Sequence, residues 1–401
     1  MPIYKYEAVN YDGETVSARL DAGTQQELID KLREKNLYPV KVEEVDLSAG
    51  GMVLFQPKVT SGDVAVFLRQ LATLLQTGVP IIESLDIIRS QVHRAKLKAV
   101  VGDIYENIHR GLSFSDALKK HPKIFTRLII NMVESGEMSG TLDQVTERLA
   151  THYEKDEKIR KKVKSSMIYP MVLATVTVAV VIFMLVFVMP TFIGMFDSSG
   201  VELPAPTRAL LAMSDFLRTY WYIMVFILGG IYLGVKAYGG TEEGRMRIDQ
   251  LKLNIPVVKR VMSNLITARF ARTVSTMLYS GVPLLDAMDN VAKVVGNAVA
   301  ANDIQNARTE VRMGNSLAVP ISQIEYMPKM LASMIKIGEE SGALDTILDR
   351  TANFYEDEVE TSLQQLVALF EPILILFMGL ILGFIIISMM MPMFEMVNTI
   401  S

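Results

Sequence analysis

Three long apolar runs constrain this chain more than any other feature of its sequence. Residues 171–191 read MVLATVTVAVVIFMLVFVMPT, without one charged side chain. Residues 220–238, YWYIMVFILGGIYLGVKAY, carry aromatics at both ends, as bilayer-spanning helices do at the interfaces. Residues 373–393 read ILILFMGLILGFIIISMMMPM. About 20 apolar residues suffice to carry a helix across a bilayer. The competing assignment, a buried core helix, does not suit runs so long and apolar on every side. The expected fold is therefore a mainly α membrane protein with transmembrane helices at 171–191, 220–238 and 373–393. The second run is the weakest, because it contains glycines and Lys236.

Lysine and arginine accumulate on the cytoplasmic side of membrane helices. KDEKIRKKVKSS precedes the first run, whereas residues 197–219 carry only Arg208 and Arg218. Arg245, Arg247, Lys252, Lys259 and Arg260 restore a basic flank after the second run. This pattern predicts a cytoplasmic N-terminal region, an extracytoplasmic loop at 192–219, cytoplasmic residues from Thr241, and an extracytoplasmic C-terminus. The inner flank of the third run is acidic (Glu356, Asp357, Glu358, Glu360), so its orientation follows from the earlier spans. The opening residues MPIYKYEAVNYDGETV show no basic-then-apolar stretch and predict no secretory signal.

The chain also repeats itself. FLRQLATLLQTGVPIIESLD at 67–86 matches FARTVSTMLYSGVPLLDAMD at 270–289 without a gap, and GEMSGTLD at 136–143 matches GEESGALD at 338–345. Tyr153 then pairs with Tyr355, Pro170 with Pro372, Pro190 with Pro392 and Phe192 with Phe394. One unit is used twice: a helical bundle, at 61–168 and again at 260–370, followed by a membrane helix. The second span has no counterpart and serves to return the chain so that both bundles face the same way.

Within the unit, Val64, Phe67, Leu68, Leu71 and Leu75 share one helical face, with Thr60 or Ser61 as N-cap. Gly78 suits the left-handed position past the helix end and Pro80 the first turn of the next helix. Gly78-Val79-Pro80 and Gly281-Val282-Pro283 are thus helical-hairpin turns, and each bundle should consist of short antiparallel helices. Residues 1–50 read as a small α+β module. Alternation at Tyr4, Tyr6, Ala8 and at Val16, Ala18, Leu20 flanks an Asp12-Gly13 turn; Thr24 to Glu27 caps a helix to about Asn36; Val40 and Val42 suggest another strand.

Little chemistry is advertised. With no cysteine there is no thiolate nucleophile, disulfide or thiolate metal site. No phosphate loop ending in Gly-Lys-Ser/Thr is present, and the four histidines show no metal-binding spacing. No catalytic group, cofactor or metal is expected, and a net charge of -4 gives no reason to expect nucleic acid. Carboxylates are the one constellation: Glu134, Glu137 and Asp143 around the first Gly-Glu-x-Ser-Gly turn, Glu339, Glu340 and Asp345 around the second. They are expected to cap helices and meet Arg69 and Arg272 across the bundle; contact with a partner ranks next, and a hard cation last. Glu371, at the inner edge of the third span, either snorkels to the interface or meets a partner's basic residue.

The paired Gly-Val-Pro hairpins, the Gly-Glu-x-Ser-Gly-x-Leu-Asp turns and the proline-bracketed spans resemble the inner-membrane platform family of type IV pilus assembly and type II secretion. The resemblance covers essentially the whole chain, including YKYEAVNYDGETVSARL at the start, and departs where Thr126 replaces the proline of the equivalent Pro328. GEESGALD, FYEDEV and EPILILFMGLILG look more like the pilus branch, with the secretion platform as the alternative. The resemblance implies residence in the bacterial inner membrane and a non-enzymatic role. It further implies a cytoplasmic hexameric assembly or retraction ATPase docked on the bundles, pilin subunits gathered at the membrane helices, other inner-membrane assembly proteins, and self-association into a homo-oligomer. A transporter fits less well, since three mostly apolar spans leave little room for a polar pathway. A receptor or signalling enzyme would need a ligand or catalytic domain where this chain has two copies of one bundle.

Overall fold

The computed structural model describes residues 3–9, 15–21, 29, 32, 38–45, 58–191 and 204–400. They fall into two compact units, Met1–Lys58 with Arg94–Lys96, and the remainder. In the first unit β1 (Ile3–Val9) lies between β2 (Thr15–Asp21) and β3 (Tyr38–Val45), antiparallel to both. Tyr4, Tyr6 and Ala8 pair with Leu20, Ala18 and Val16, so the two alternating patterns meet in register. A bulge between Glu7 and Ala8 shifts the pairing with β3. The expected turn at Asp12-Gly13 and the expected helix from Thr24 to Asn36, apart from helical Ile29 and Leu32, lie outside the described residues.

The second unit opens with a six-helix lobe: α1 (Ser61–Gln76), α2 (Ile81–Gln91), α3 (Ala95–His109), α4 (Phe114–Lys119), α5 (Arg127–Ser139) and α6 (Leu142–Ser166). Thr60 caps α1 through a reciprocal box with Asp63: Asp63 N–H donates to Thr60 Oγ1 at 3.3 Å, and Thr60 N–H to Asp63 Oδ2 at 2.7 Å. Val64, Phe67, Leu68 and Leu71 are buried as the helical period predicts, with Phe67 tilted against Phe125 at 5.6 Å. Gly78 takes the left-handed conformation at φ 84°. Pro80, expected inside α2, caps it instead, because its ψ of 148° is extended and the helix begins at Ile81.

Among the described residues, three α-helices follow before the lobe is repeated: α7 (Ile168–Phe183), α8 (Ala205–Tyr238) and α9 (Glu242–Asn254). The second lobe comprises α10 (Pro256–Tyr279), α11 (Leu284–Val294), α12 (Ala298–Arg312), α13 (Ala318–Gln323), α14 (Lys329–Ser341) and α15 (Leu344–Ile400). Its turns reuse those of the first lobe. The Gly-Glu-x-Ser-Gly motif shows why both its glycines are needed. A Cβ on Gly338 would lie 2.9 Å from the Leu344 Cα, so only glycine lets α14 approach the start of α15. Gly342 then closes α14 at φ 66°, as Gly140 closes α5 at φ 73°.

The closing helix of each lobe does not stop at the lobe's edge. α6 passes through Met167 into α7, which widens into a π turn at Met184–Val188 and reaches Thr191. α15 is one helix of 57 residues. The expectation of short helices therefore fails for the last member of each bundle. Pro170 and Pro372 mark the start of each apolar run without ending the helix there, and a helix paired internally enters a bilayer with few backbone polar groups exposed. The apolar windows of the three spanning helices are 11%, 0% and 17% buried within the chain, leaving their surfaces to lipid.

The connector expected as a loop at 192–219 is helical from Ala205, just after Pro204. α8 kinks at Tyr220 (φ -114°, ψ 15°), where the exposed run begins; before the kink it buries Thr207, Leu210 and Ser214. These residues explain how the repeat's two distal prolines are tolerated. Met189 N–H bonds back to the Met184 carbonyl, and Pro190 has no N–H, so the Leu185 carbonyl loses its helical partner. Ser214 Oγ donates to that carbonyl at 2.6 Å. Pro392 likewise frees the Ser388 carbonyl, which accepts from Thr207 Oγ1 at 2.5 Å. The one unrepeated span thus supplies a hydroxyl to each repeated one. Ser214→Ala and Thr207→Val should each lower stability in detergent by about 1–2 kcal/mol, since each leaves a buried carbonyl unpaired. Unchanged thermal unfolding in both variants would refute this role.

Candidate functional site

The first helix and the closing helix of each lobe run antiparallel, and an arginine fastens them. Arg69 on α1 donates through Nε to Glu154 at 2.7 Å, through Nη1 to Glu147 at 2.6 Å, and through Nη2 to Glu154 at 2.6 Å. Its hydrogen bonds to Glu154 and Glu147 raise the Arg69 pKa further, and the same guanidinium lowers that of Glu154. Arg272 on α10 repeats the construction, donating to Glu356 at 2.8 Å, to Asn353 at 2.6 Å and to Asp349. The arginines were expected to meet the acids of the Gly-Glu-x-Ser-Gly turns; they meet acids on the closing helices instead. The antiparallel pairing explains this, because it places Arg69 one to three turns beyond the α5–α6 turn.

The turn carboxylates have other partners. Glu137 accepts from Phe114 N–H at 2.6 Å and Ser115 N–H at 2.9 Å, closing the start of α4. Glu339 accepts from Leu317 N–H at 2.7 Å and from the Ser316 hydroxyl at the equivalent start of α13. Both supply negative charge to orphan N–H groups at a helix end. Glu134 meets Lys119 at 3.2 Å and Glu340 meets Lys336 at 3.8 Å, both on the surface. Asp143 and Asp345 occupy the first turns of α6 and α15. Glu371 accepts from Tyr169 Oη at 3.4 Å, joining the first and third spanning helices at their near ends. Among the described residues no group of acids and histidines has a metal-binding arrangement.

Sequence reasoning missed the seam between the lobes, where α6 lies along α10 and α15. Lys155 Nζ lies 3.3 Å from Glu356, Lys162 pairs with Glu360 at 2.5 Å, and Arg269 with Asp156 at 3.1 Å. Arg148 stacks on the Tyr279 ring at 3.7 Å, and Ser135 Oγ donates to the Ser280 carbonyl at 2.6 Å. A cavity of about 290 Å³ remains between the lobes, lined by His152, Asp156, Arg269 and Arg272. His152 Nδ1 is shut off from solvent without a partner among the described residues. Burial, assisted by Arg272 and Arg269 and opposed by Asp156, lowers its pKa to about 4. A signal for the clamps was present: Glu154 and Glu356 each directly follow the matched tyrosines Tyr153 and Tyr355.

The family profile described as type II secretion system (T2SS), protein F matches this chain twice, at residues 67–190 and 270–392. The profile of the protein F N-terminal domain matches residues 1–43. The chain belongs to the type II secretion system protein F family. It is 36% identical over 406 residues to the type IV pilus assembly protein PilC of Thermus thermophilus, covering all of both chains. It is 34% identical over 398 residues to PilC of Myxococcus xanthus, covering 99% of this chain and 95% of that one. The type II secretion system protein F of Aeromonas hydrophila is 36% identical over 378 residues, covering 92% of this chain and 97% of its own.

Two outcomes follow. Among the described residues, Arg272→Ala leaves Glu356 with Lys155 at 3.3 Å as its only cation and Asp349 with only Arg148 at 3.9 Å, and should destabilise the protein by about 2–3 kcal/mol. Arg69→Ala, at a more exposed clamp, should cost roughly 1 kcal/mol. Equal losses of thermal stability would contradict the difference in burial. His152 is neutral in the folded chain down to about pH 4, whereas an unfolded histidine protonates near its usual value of about 6.5. Its contribution is therefore complete above about pH 6.5 and is lost as pH falls toward 4, by up to about 3 kcal/mol. His152→Phe should flatten the stability profile in that window, and an unchanged slope would exclude His152 as its source.

Proposed function

We propose that this chain is the inner-membrane platform of type IV pilus assembly, coupling a cytoplasmic hexameric ATPase to the movement of pilin subunits into the fibre. The observation that carries the reading is the continuity of α15 from Leu344 to Ile400. At 1.5 Å per residue such a helix is about 85 Å long and runs unbroken from lobe to membrane, with Pro372 at the point of entry. A displacement applied to the second lobe is then delivered to the third span. α6 and α7 give the first lobe the same connection, and the seam makes the two rods move together.

The lysine and arginine flanks support cytoplasmic lobes, a cytoplasmic N-terminus and an extracytoplasmic C-terminus. In that orientation the Gly-Glu-x-Ser-Gly turns lie about 40 Å from the membrane, at 1.5 Å per residue along α6. Glu134, Asp143, Glu340 and Asp345 are there for a motor to meet, while Glu371 sits where a pilin's basic residue would pass. The chain itself is read as non-catalytic, the ATPase supplying the energy. The names of relatives such as the Aeromonas hydrophila secretion protein favour a second reading, a platform for pseudopilus assembly in type II secretion.

Charge reversal at Glu134, Asp143, Glu340 and Asp345 together should abolish capture of the assembly ATPase of the same genome by the full-length protein. Surface fibres should disappear while pilin and platform levels stay normal. Fibres unaffected by the fourfold reversal would sink the docking assignment; loss of protein export with fibres intact would favour the secretion reading.

A further inference from the structure

The two lobes, alike in sequence, meet through unlike surfaces. The first contributes the outer face of α6, with His152 and Lys155; the second contributes the groove between α10 and α15, with Arg269, Arg272 and Glu356. By the repeat, each surface has a second copy in the chain. The counterpart of the groove lies between α1 and α6, where Val66, Arg69 and Glu154 correspond to Arg269, Arg272 and Glu356. The counterpart of the inserted face is the outer face of α15, where Phe354 and Asp357 correspond to His152 and Lys155. A two-fold contact would have used both pairs of surfaces at once. This one uses a single pair and leaves the other open.

Burial shows the difference. In the filled groove the side chains of Arg272 and Glu356 are 8% and 14% exposed. In the empty one Arg69 and Glu154 are 35% and 42% exposed. The empty groove has a volume of about 740 Å³. Val66 in it is 59% exposed and Phe354 on the α15 face 45%, though both belong to well-packed helices. Between them the polar pair of the internal seam, Arg269 and His152, has been replaced by an apolar pair. Charge is exchanged in the same sense. Internally, lysines on the inserted helix (Lys155, Lys162) meet acids in the groove (Glu356, Glu360). In the open surfaces the inserted helix carries Asp357, and Lys158 stands in the groove at the position equivalent to Glu360; both are exposed at the rim of the seam, where they also line a cavity with Lys155 and Glu356. The acidic flank of the third span and the basic flank of the first are two halves of one contact.

We propose that a second copy of this chain fills the groove: the outer face of α15 of one molecule, centred on Phe354, docks between α1 and α6 of the next. Phe354 meets Val66, and Asp357 meets Lys158. The internal seam also fixes the direction of growth. Lys155 meets Glu356, Tyr169 meets Glu371 and Thr177 meets Met378, so equivalent points on the two rods stand at nearly the same depth. A head-to-tail contact copied from this seam adds molecules side by side in the plane of the bilayer, the arrangement that closes into a ring. The inference stands apart from the motor and pilin assignments.

The absence of cysteine makes the test direct. Full-length chains carrying Val66→Cys and Phe354→Cys singly are co-expressed and oxidised in native membranes. A disulfide-linked dimer is expected only when both variants are present, and the double variant should give dimers and higher species. Ser135→Cys with Ser280→Cys, an internal pair across the seam, reports that the lobes are folded and the oxidation effective. Asp357→Lys should reduce the intermolecular product several-fold while leaving the internal S135C–S280C product unchanged, and adding Lys158→Asp should restore it. No V66C–F354C product while the internal pair forms would overturn the proposal, as would dimers from V66C alone, which would signify a two-fold contact. Failure of Lys158→Asp to restore the product would overturn the assigned register.

Discussion

A helix that must cross hydrocarbon cannot leave its backbone unpaired, and this requirement reaches well outside the bilayer. Each lobe ends in a helix that is already hydrogen-bonded when it meets the membrane, so lobe and span become one rod. The rest of the lobe is arranged around that rod. The opening helix lies antiparallel to it, an arginine ties the two together, and the short helices between them close the core. At the distal prolines of the rods, Pro190 and Pro392, the same requirement reappears as a need for a donor. Ser214 and Thr207 meet it from α8. The unrepeated span therefore does more than reverse the chain: it completes both repeated ones.

Duplication leaves a problem that a single lobe does not have. Two like units in one chain cannot both be surrounded alike unless they pair by a two-fold or close a ring. Here the first unit's rod fills the second unit's groove, and the surrounding residues have diverged accordingly. Arg269, which bonds Asp156 and the Val295 carbonyl, stands where the first lobe has exposed Val66. Gly296 follows from the same divergence: with φ 82°, and a Cβ position 2.4 Å from Arg269 Nη1, it must be glycine, whereas the first lobe has His93 there. The clamps were kept and the seam was rebuilt, which separates what every lobe requires from what only the covered one does.

Much of this is legible in the sequence, and the reasons differ from element to element. The spans, the repeat and the Gly-Val-Pro hairpins depend on local composition and spacing, which a sequence displays directly. The turn glycines were legible as turns, but the close approach at Gly338 was not, since it depends on where Leu344 passes. The partners of Arg69 are not legible, because the repeated turns single out their own acids. Only the antiparallel pairing of α1 and α6 carries the guanidinium to Glu147 and Glu154. The helix from Ala205 was hidden by its position between two spans, where a polar stretch reads as loop; its Thr207, Leu210 and Ser214 become a pattern only once the proline-freed carbonyls are known. The seam could not have been read, because nothing in either copy states which surface of one faces which surface of the other.

The separation of fixed and variable contacts bears on how force would travel. A clamp that bonds one arginine to two acids on the next helix resists sliding between those helices, because any shift breaks several charge-assisted bonds together. The seam adds apolar packing to its polar pairs: Met277, Val282 and Ala287 of the second lobe join the first lobe's core, and Ile159 and Val163 of α6 pack with Val359 and Leu363 of α15. The Lys155–Glu356 and Lys162–Glu360 pairs and the Arg148–Tyr279 contact flank that packing. Separating the lobes would expose this apolar surface as well as break the pairs, so the lobes would shift as one body. Motion applied at a distal turn would then reach the first and third spans together, rather than as a change in the spacing between them.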